Sequence, residues 1–591
     1  MPRRGAAPRS RPLPPVSEIL SSGWRLEVLR GAAAVRGGTS ADRRAEWQRL
    51  ADAEDKVTVF HEPGFVLTWY DVYEPEHEPL LLIGLDALDR LVGVMPLAVP
   101  RTASGSLVFA GAEQAEYAGW LAWPEVAREF PTRCVLELRK LGLFSRPWQW
   151  KWLAPGTDVK GLSSDILREH GLSVRLSRTQ KALWSLQGAQ SVRFSVSNWH
   201  VNRLKRQGEI RLVQLDSATM TDEVFRIFTT THDLRELQIR GLDPFGASPL
   251  KGIFHQRLVD RAPESVLFFA LMVGSVPVAF SFSLLDRRRL ILCLDAFDPR
   301  WAASSPGKLI HNLVADALTA RGIQAIDLTP GGDAYKEEVA NDAEAIYSVV
   351  LFHRPTGAHV HDLKALAERG VKRAVLAMGL SRERARSLAR LARRLATGGL
   401  IRDGIAAGWR WAASQEVFAQ YQLDRGDDLV ARQEFRPTVA TDAIDDFLLY
   451  SGAGRAGSRQ DMMREALSRL RQRQRCYTVV EDGRLVHAGW LESDAKSASV
   501  GAEGFAWPLP PKTARLHVVD AEANGAAAIR QGLVRRMAGE AFAAGAERVV
   551  MLAGPRERSL VETLEAVGFR FRGRLVIKRR FGRVQRLEQP G

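Results

Sequence analysis

The fold is decided by residues 290–338, LILCLDAFDPRW (290–301), AASSPGKLIHNLVADALTARG (302–322) and IQAIDLTPGGDAYKEE (323–338). The first piece is an apolar, β-type run. The second opens on serines and a proline and continues with helical spacing. The third is a short β-type run that stops in a glycine-rich turn. Strand, helix, strand is the mark of an α/β unit.

Outward from it, the pattern recurs. VLFFALMVGSVPVAFSFSLL (266–285) reads as two strands joined at Gly274-Ser275, and feeds directly into the deciding stretch. CYTVVEDGRLVHAGWLE (476–492) reads the same way, with Asp482-Gly483 as a strong hairpin turn. It is followed by the strand ARLHVVDA (514–521), a helix to about Ala544 and the strand RVVMLAG (548–554). LLLIGLDALDRLVGVMPLAV (81–100) is a further hairpin, with a weaker helix signal after it. A unit repeated along a chain of this length predicts an α/β (α+β) protein of several domains with mixed central sheets. The expected divisions are a PPII-prone tail over 1–17, an N-terminal half over 18–180 and a second half over 181–360. A basic helical linker follows over 361–412, then a C-terminal domain over 413–591.

The chain carries 83 Lys and Arg against 68 Asp and Glu, a formal charge of +15. That favours polyanionic partners but does not choose among a nucleotide cofactor, a membrane surface and nucleic acid. The excess is concentrated between Arg369 and Arg402, where Glu383 is the only acid. LSRERARSLARLARRLA (380–396) places Leu380, Leu388, Leu391 and Leu395 on one face. This is a membrane-surface helix or a packed linker, the second reading carrying more weight. The three cysteines, Cys134, Cys293 and Cys476, are far apart and lack metal or disulfide spacing. No metal site is expected. The basic, proline-rich N-terminus is not followed by a signal-peptide core, and no run reaches transmembrane length, so the expected location is the cytoplasm. GxSxG, HExxH, GxxxxGK[ST] and a strand-linked GxGxxG are all missing, which removes serine hydrolases, zincins, P-loop enzymes and simple Rossmann enzymes.

Candidate chemistry gathers in the deciding stretch. Ser304, Ser305, Gly307 and Lys308 sit where a strand hands over to a helix. Unsatisfied N–H groups there suit a pyrophosphate, and Lys308 adds a point charge. The same serines equally read as ordinary N-caps. Asp295 is a carboxylate on an apolar strand, expensive unless paired, and a candidate general base. Tyr335 is placed to protonate a leaving thiolate and Lys336 to hold a phosphate or carboxylate, although a packing tyrosine in a loop fits as well. His232, in FRIFTTTHDLRELQIRG (225–241), is a further candidate base, more often a structural histidine in such a setting.

On SVSNWHVNRLKRQGEI (195–210), the strand pair at VGSVPVAFSF, AFDPRW…SPGKLI and DLTPGGDAYKEE, residues about 180–355 resemble the BioF2-like acetyltransferase family. This is the GNAT-related group that includes cellulose biosynthesis protein CelD. With residues 20–180 the chain resembles the double-GNAT arrangement of FemAB-type aminoacyl transferases. The resemblance implies tandem GNAT folds and acetyl-CoA or another acyl-CoA as co-substrate, with its pyrophosphate at Ser304–Lys308. It also implies an amine or hydroxyl acceptor, of the sugar, polysaccharide or cell-envelope precursor class. An anionic membrane surface is a candidate partner for residues 369–402, with the protein peripheral to the inner membrane, and DNA is not expected. An aminoacyl-tRNA-dependent transferase and a non-catalytic scaffold of a polysaccharide biosynthesis complex are the alternatives. Residues 400–591 resemble a further single GNAT domain through RLHVVDA…RVVMLAG…LEAVGF. There the glycine-rich loop is reduced to NGAAAI (524–529) and Leu564 replaces a tyrosine, so a degenerate site is expected, unless Arg530 compensates.

Overall fold

A computed structural model describes residues 23–353 and 413–590. Within these, positions 55, 103–105, 144–146, 163, 189–191, 332–333, 427–437, 453–456, 501–504, 522–526, 555–556 and 581–582 are not described. The basic helix expected over 361–412 lies outside the described residues. Two compact units are present. The first takes the chain to Thr229, Phe245–Phe297 and the segment from Ser304. The second takes Thr230–Pro244, Asp298–Ala303 and the C-terminal part.

The first unit holds two sheets. In the first, β1 (Trp24–Arg30), β2 (His77–Asp86), β3 (Leu91–Pro100) and β4 (Val108–Phe109) lie in sequence order, with β5 (Leu121–Ala122) also on β3. The β2–β3 hairpin is the one read at 81–100, and its near-continuous apolar run has a simple cause. Leu81, Ile83 and Leu85 enter one core while Leu80 and Leu82 enter another, so both faces are covered.

The second sheet contains β6 (Trp148–Trp150), β7 (Ser173–Ser185), β8 (Ile210–Leu215), β9 (Val266–Val273), β10 (Val276–Asp286), β11 (Arg289–Phe297), β12 (Ala325–Asp327) and β13 (Asp342–Phe352). Its order is β6-β13-β7-β12-β11-β10-β9-β8. Only β11 and β12 run parallel, joined by the crossover helix Pro306–Ala320. That helix buries Leu309, Ile310, Val314, Ala315 and Leu318, the apolar stripe its spacing predicts. Phe268, Phe280, Phe282 and Ile291 of this sheet share a core with Phe65, Trp69 and Leu81, which makes the two sheets one unit.

The second unit holds the third sheet: β14 (Ala413–Asp424), β15 (Val439–Thr441), β16 (Arg475–Glu481), β17 (Arg484–Glu492), β20 (Thr513–Asp520), β21 (Arg548–Ala553), β22 (Arg570–Arg580) and β23 (Arg583–Pro590). A hairpin of β18 (Ser497–Val500) and β19 (Phe505–Pro508) is inserted before β20. The order is β15-β16-β17-β20-β21-β14-β22-β23, with β20 and β21 parallel around the helix Ala527–Ala543. Asp482 and Gly483 both take positive φ at the β16–β17 turn, as the Asp-Gly pair requires.

The two large sheets therefore repeat one topology. The order β8-β9-β10-β11-β12-β7-β13 matches β15-β16-β17-β20-β21-β14-β22 strand for strand. Of the seven strands matched in each, the one that comes first in the chain, β7 or β14, is inserted between the fifth and the last.

Candidate functional site

The parallel pair in the second sheet is short. Arg289, Leu290 and Ile291 face Ala325, Ile326 and Asp327, and there β12 stops while β11 continues to Phe297. On its other side β11 stays paired with β10, but the register shifts. Ser283 faces Leu292 and Phe282 faces Leu294, so Cys293 is an extra residue with no ladder partner. A bulge of this kind bends its strand and leaves backbone groups outside the ladder. The fork between β11 and β12 is the result.

Asp295 lies on the diverging arm, opposite Ser281. One of its oxygens is 3.5 Å from Nε2 of His311, a buried residue of the crossover helix whose ring is tilted against Phe194. Burial, then the charges of Glu116, Asp295 and Asp327, push the Cys293 thiol up, so it stays protonated near neutrality.

The crossover helix begins at the fork in an unusual way. Ser305 occupies the N-cap in the left-handed region (φ 50°, ψ 47°) and its hydroxyl makes no cap bond, contrary to the simple N-cap expected of it. The first-turn N–H groups thus receive no help from that side chain. Ser304 is buried. A Cβ at Gly307 would stand 3.2 Å from Cδ1 of Phe297, so the helix start passes close to the end of β11. Lys308 Nζ contacts both oxygens of Glu338 at 2.8 Å.

Where β12 ends, a buried charged network begins. The side chains of Lys181 (β7) and Asp327 are both inaccessible to solvent and paired. Lys181 also lies 3.1 Å from Glu344 (β13), which takes Arg289 (β11) at 2.7 Å. Two cations and two carboxylates balance, which is what makes ions tolerable there. Arg289 and Lys181 hold the Glu344 carboxyl below its ordinary range against the opposing effect of burial. The hydroxyl of Tyr117 donates to Asp327 from 2.9 and 3.0 Å. Burial, then the Asp327 charge, raises the Tyr117 phenol far above its ordinary value. Asp327 accepts the Thr329 N–H at 2.9 Å, and Lys336 Nζ lies 3.4 Å from the Thr329 carbonyl and hydroxyl. Thr329 has φ 57°, an uncommon value for a β-branched residue.

The first unit thus brings Asp295, Ser304, Ser305, Gly307, Lys308 and Lys336 to elements that meet at the fork. Lys336 is buried against the Thr329 turn, and the Tyr335 side chain lies outside the described residues. His232 belongs to the second unit, buried, with Nδ1 3.7 Å from Asp233. Trp199, in the basic helix Asn198–Lys205, is 60% exposed with Arg203 over its ring. Sequence reasoning missed Tyr117, Lys181, Arg289, Glu344 and His311. The one available signal was Asp327, a carboxylate closing an apolar strand and therefore in need of a cation.

The third sheet forks too. Leu516 faces Met551 in the last parallel pair, and β20 runs on to Asp520. Yet β20 pairs with β17 without any register shift. A cleft of about 460 Å³ opens there, lined among others by Glu465, Arg469, Arg515, His517 and Leu552. Half of the 524–529 loop, positions 524–526, lies outside the described residues, and the rest opens the helix Ala527–Ala543. The Arg530 guanidinium is buried and donates to Thr563, Asp520 and the Ser559 carbonyl.

A family model described as acetyltransferase (GNAT) domain matches residues 200–337. No curated protein matches. Solved structures similar to the chain include the C-terminal domain of a putative lysylphosphatidylglycerol synthetase from Agrobacterium fabrum, at 12% identity and TM-score 0.36. It covers 55% of this chain and 96% of that one. FemX (7%, TM-score 0.37) covers 53% and 97%. A tandem GNAT protein from the clavulanic acid biosynthesis pathway (11%, TM-score 0.35) covers 56% and 98%. Among the described residues no helix is long and apolar enough to cross a membrane, and no His, Cys, Asp and Glu group is arranged for a metal ion. The bulge, the crossover helix and both arms of the fork fall inside the stretch 200–337 that the GNAT acetyltransferase model matches.

Proposed function

We propose that the fork of the second sheet binds an acyl-CoA and passes its acyl group to an amine or hydroxyl acceptor. The observation that carries this reading is the divergence of β11 from β12 beside an uncapped helix start. A strand edge freed by divergence offers N–H and C=O groups to the amides of a pantetheine arm. The helix start at Ser305–Lys308 faces its pyrophosphate with unsatisfied N–H groups. At the bulge, the backbone of Cys293 is available to the thioester oxygen as charge develops on it. Asp295 takes the proton of the attacking group, with His311 beside it. Tyr335 remains the proposed donor to the leaving thiolate, and Lys336 braces the turn at the fork. A sugar or cell-envelope precursor as acceptor rests on the family resemblance alone, as does a peripheral place at the inner membrane.

Titration calorimetry of the full-length protein with a panel of acyl-CoAs tests the reading. Saturable binding is expected, and Gly307→Glu, which sets charge and bulk at the helix start, weakens it by at least about tenfold, or 1.4 kcal/mol. No binding of any acyl-CoA by the unaltered protein sinks the idea.

A further inference from the structure

The N-terminal half of the first unit has a sheet of its own but does not supply either arm of the fork. We infer that it nevertheless completes the site: Tyr117 is a positioning residue that holds Asp327 and, through it, the left-handed turn at Thr329 where the fork opens. This rests on the fork being the acyl-CoA site, and it adds a function for the half that supplies neither arm.

The geometry runs from one half to the other through buried atoms. Tyr117 is 1% exposed, and the Asp327 side chain is wholly inaccessible, so water does not replace a lost hydroxyl there. The tyrosine is delivered rigidly. Its neighbour Ala118 exchanges backbone bonds with Trp152 and Ala154, at 3.0 and 2.9 Å. The ring itself packs edge-on to Phe60, with the Lys181 ammonium 5.5 Å from its centre.

Asp327 then has a defined task. It closes β12 at the last parallel pair, and it pins the Thr329 N–H two residues on. A β-branched residue at φ 57° persists only when its surroundings over-determine it. Here Asp327 fixes its N–H and Lys336 its carbonyl and hydroxyl. Tyr117 is the part of that clamp contributed from outside the second sheet. A second buried carboxylate, Asp286 at the end of β10, ties the halves in the same sense by accepting the N–H groups of Thr58 (2.5 Å) and Val59 (2.9 Å). The halves are therefore docked through carboxylates of the second sheet, and one of these sits at the fork.

Tyr117→Phe in the full-length protein keeps the ring and removes the hydroxyl. Tyr70→Phe is its control, because that hydroxyl is equally buried but bonds the Leu80 and Leu97 carbonyls within the first sheet. Two readouts apply: amide hydrogen exchange over residues 327–331 and acetyl-CoA affinity. For Tyr117→Phe we expect exchange at the turn to quicken about tenfold and affinity to fall about tenfold, the size of one lost hydrogen bond to a charged group. Tyr70→Phe leaves both at the unaltered level. Unchanged exchange in Tyr117→Phe overturns the inference, and so does equal loosening by Tyr70→Phe, which marks a general loss of stability. If the unaltered protein binds no acyl-CoA, the proposed function fails while the exchange comparison still decides whether Tyr117 holds the turn.

Discussion

The second and third sheets share a strand order and a fork, and differ in what they put there. In the second, β11 is bulged at Cys293, the departing strand carries Asp295, and the other arm ends in a carboxylate neutralised by a fully buried lysine. In the third, β20 is paired with β17 without a bulge, the first residue past its parallel pairs with β21 is His517, and the buried Arg530 pairs with Asp520 to tie the crossover helix to the sheet. Topology is set by which strands bury their apolar faces together, and both copies satisfy that. The proposed chemistry depends on one inserted residue and a few charges, which repetition of a topology does not preserve.

The largest expected effect separates the two forks by activity. Asp295→Asn keeps the shape and removes the proposed base, so turnover with a responsive acceptor falls roughly 10²–10⁴-fold. His517→Gln leaves that turnover unchanged. A loss in His517→Gln as large as in Asp295→Asn breaks the distinction between the sheets.

Stability sharpens it next. Lys181→Met strands Asp327 in a site without solvent and costs about 3–5 kcal/mol in denaturant unfolding. Arg530→Met leaves Asp520, whose side chain is 25% exposed, so water softens the loss. A smaller shift in midpoint is expected. Equal shifts mean that the buried network is no more demanding than the helix tie.

The two units also differ in their response to pH. Burial, then the charge of Asp286, lifts the Glu62 carboxyl to about 7 from an ordinary 4.5. A folded state that holds its proton more firmly than the unfolded one loses stability as pH rises from 4.5 through 7. Glu62→Gln flattens that slope. Glu465 behaves oppositely: the imidazole of His517, then Arg469, bring it down to about 2. Its contribution is complete above 4.5 and disappears as pH falls through 2. Glu465→Gln therefore flattens only the acid limb. Melting scans across pH check both, and an unaltered slope in either variant removes that residue from the account. The smallest effect belongs to Lys308→Ala. Its bridge to Glu338 is about a third exposed and is worth about 0–1 kcal/mol to stability, so any change appears in acyl-CoA affinity instead.

The hairpins at 81–100, 266–285 and 476–492 were legible because a turn signal and the strands it joins are neighbours in the chain. Strand, helix and strand at 290–327 were legible from periodicity, and the same segment contained the helix start. β12 proved shorter than the run IQAIDLTPG promised, since only Ala325–Asp327 find a parallel partner before β11 bends away. Ser305 stands at the N-cap position, as a serine before a proline favours, but in the left-handed region and without a side-chain cap bond.

By itself the sequence determined the local elements, the repeated unit and that Asp295, a carboxylate on an apolar strand, is expensive unless paired, because propensity, periodicity and the cost of a buried charge act on each residue where it stands. Only the tertiary structure decided that His311 lies beside Asp295, that Lys181 pairs with Asp327, that Cys293 is the extra residue, and that a tyrosine 210 positions from Asp327 reaches its carboxylate. Those depend on register and on the docking of one sheet half against another. Both are fixed by the sum of many apolar contacts across the core, so no short window of sequence contains them.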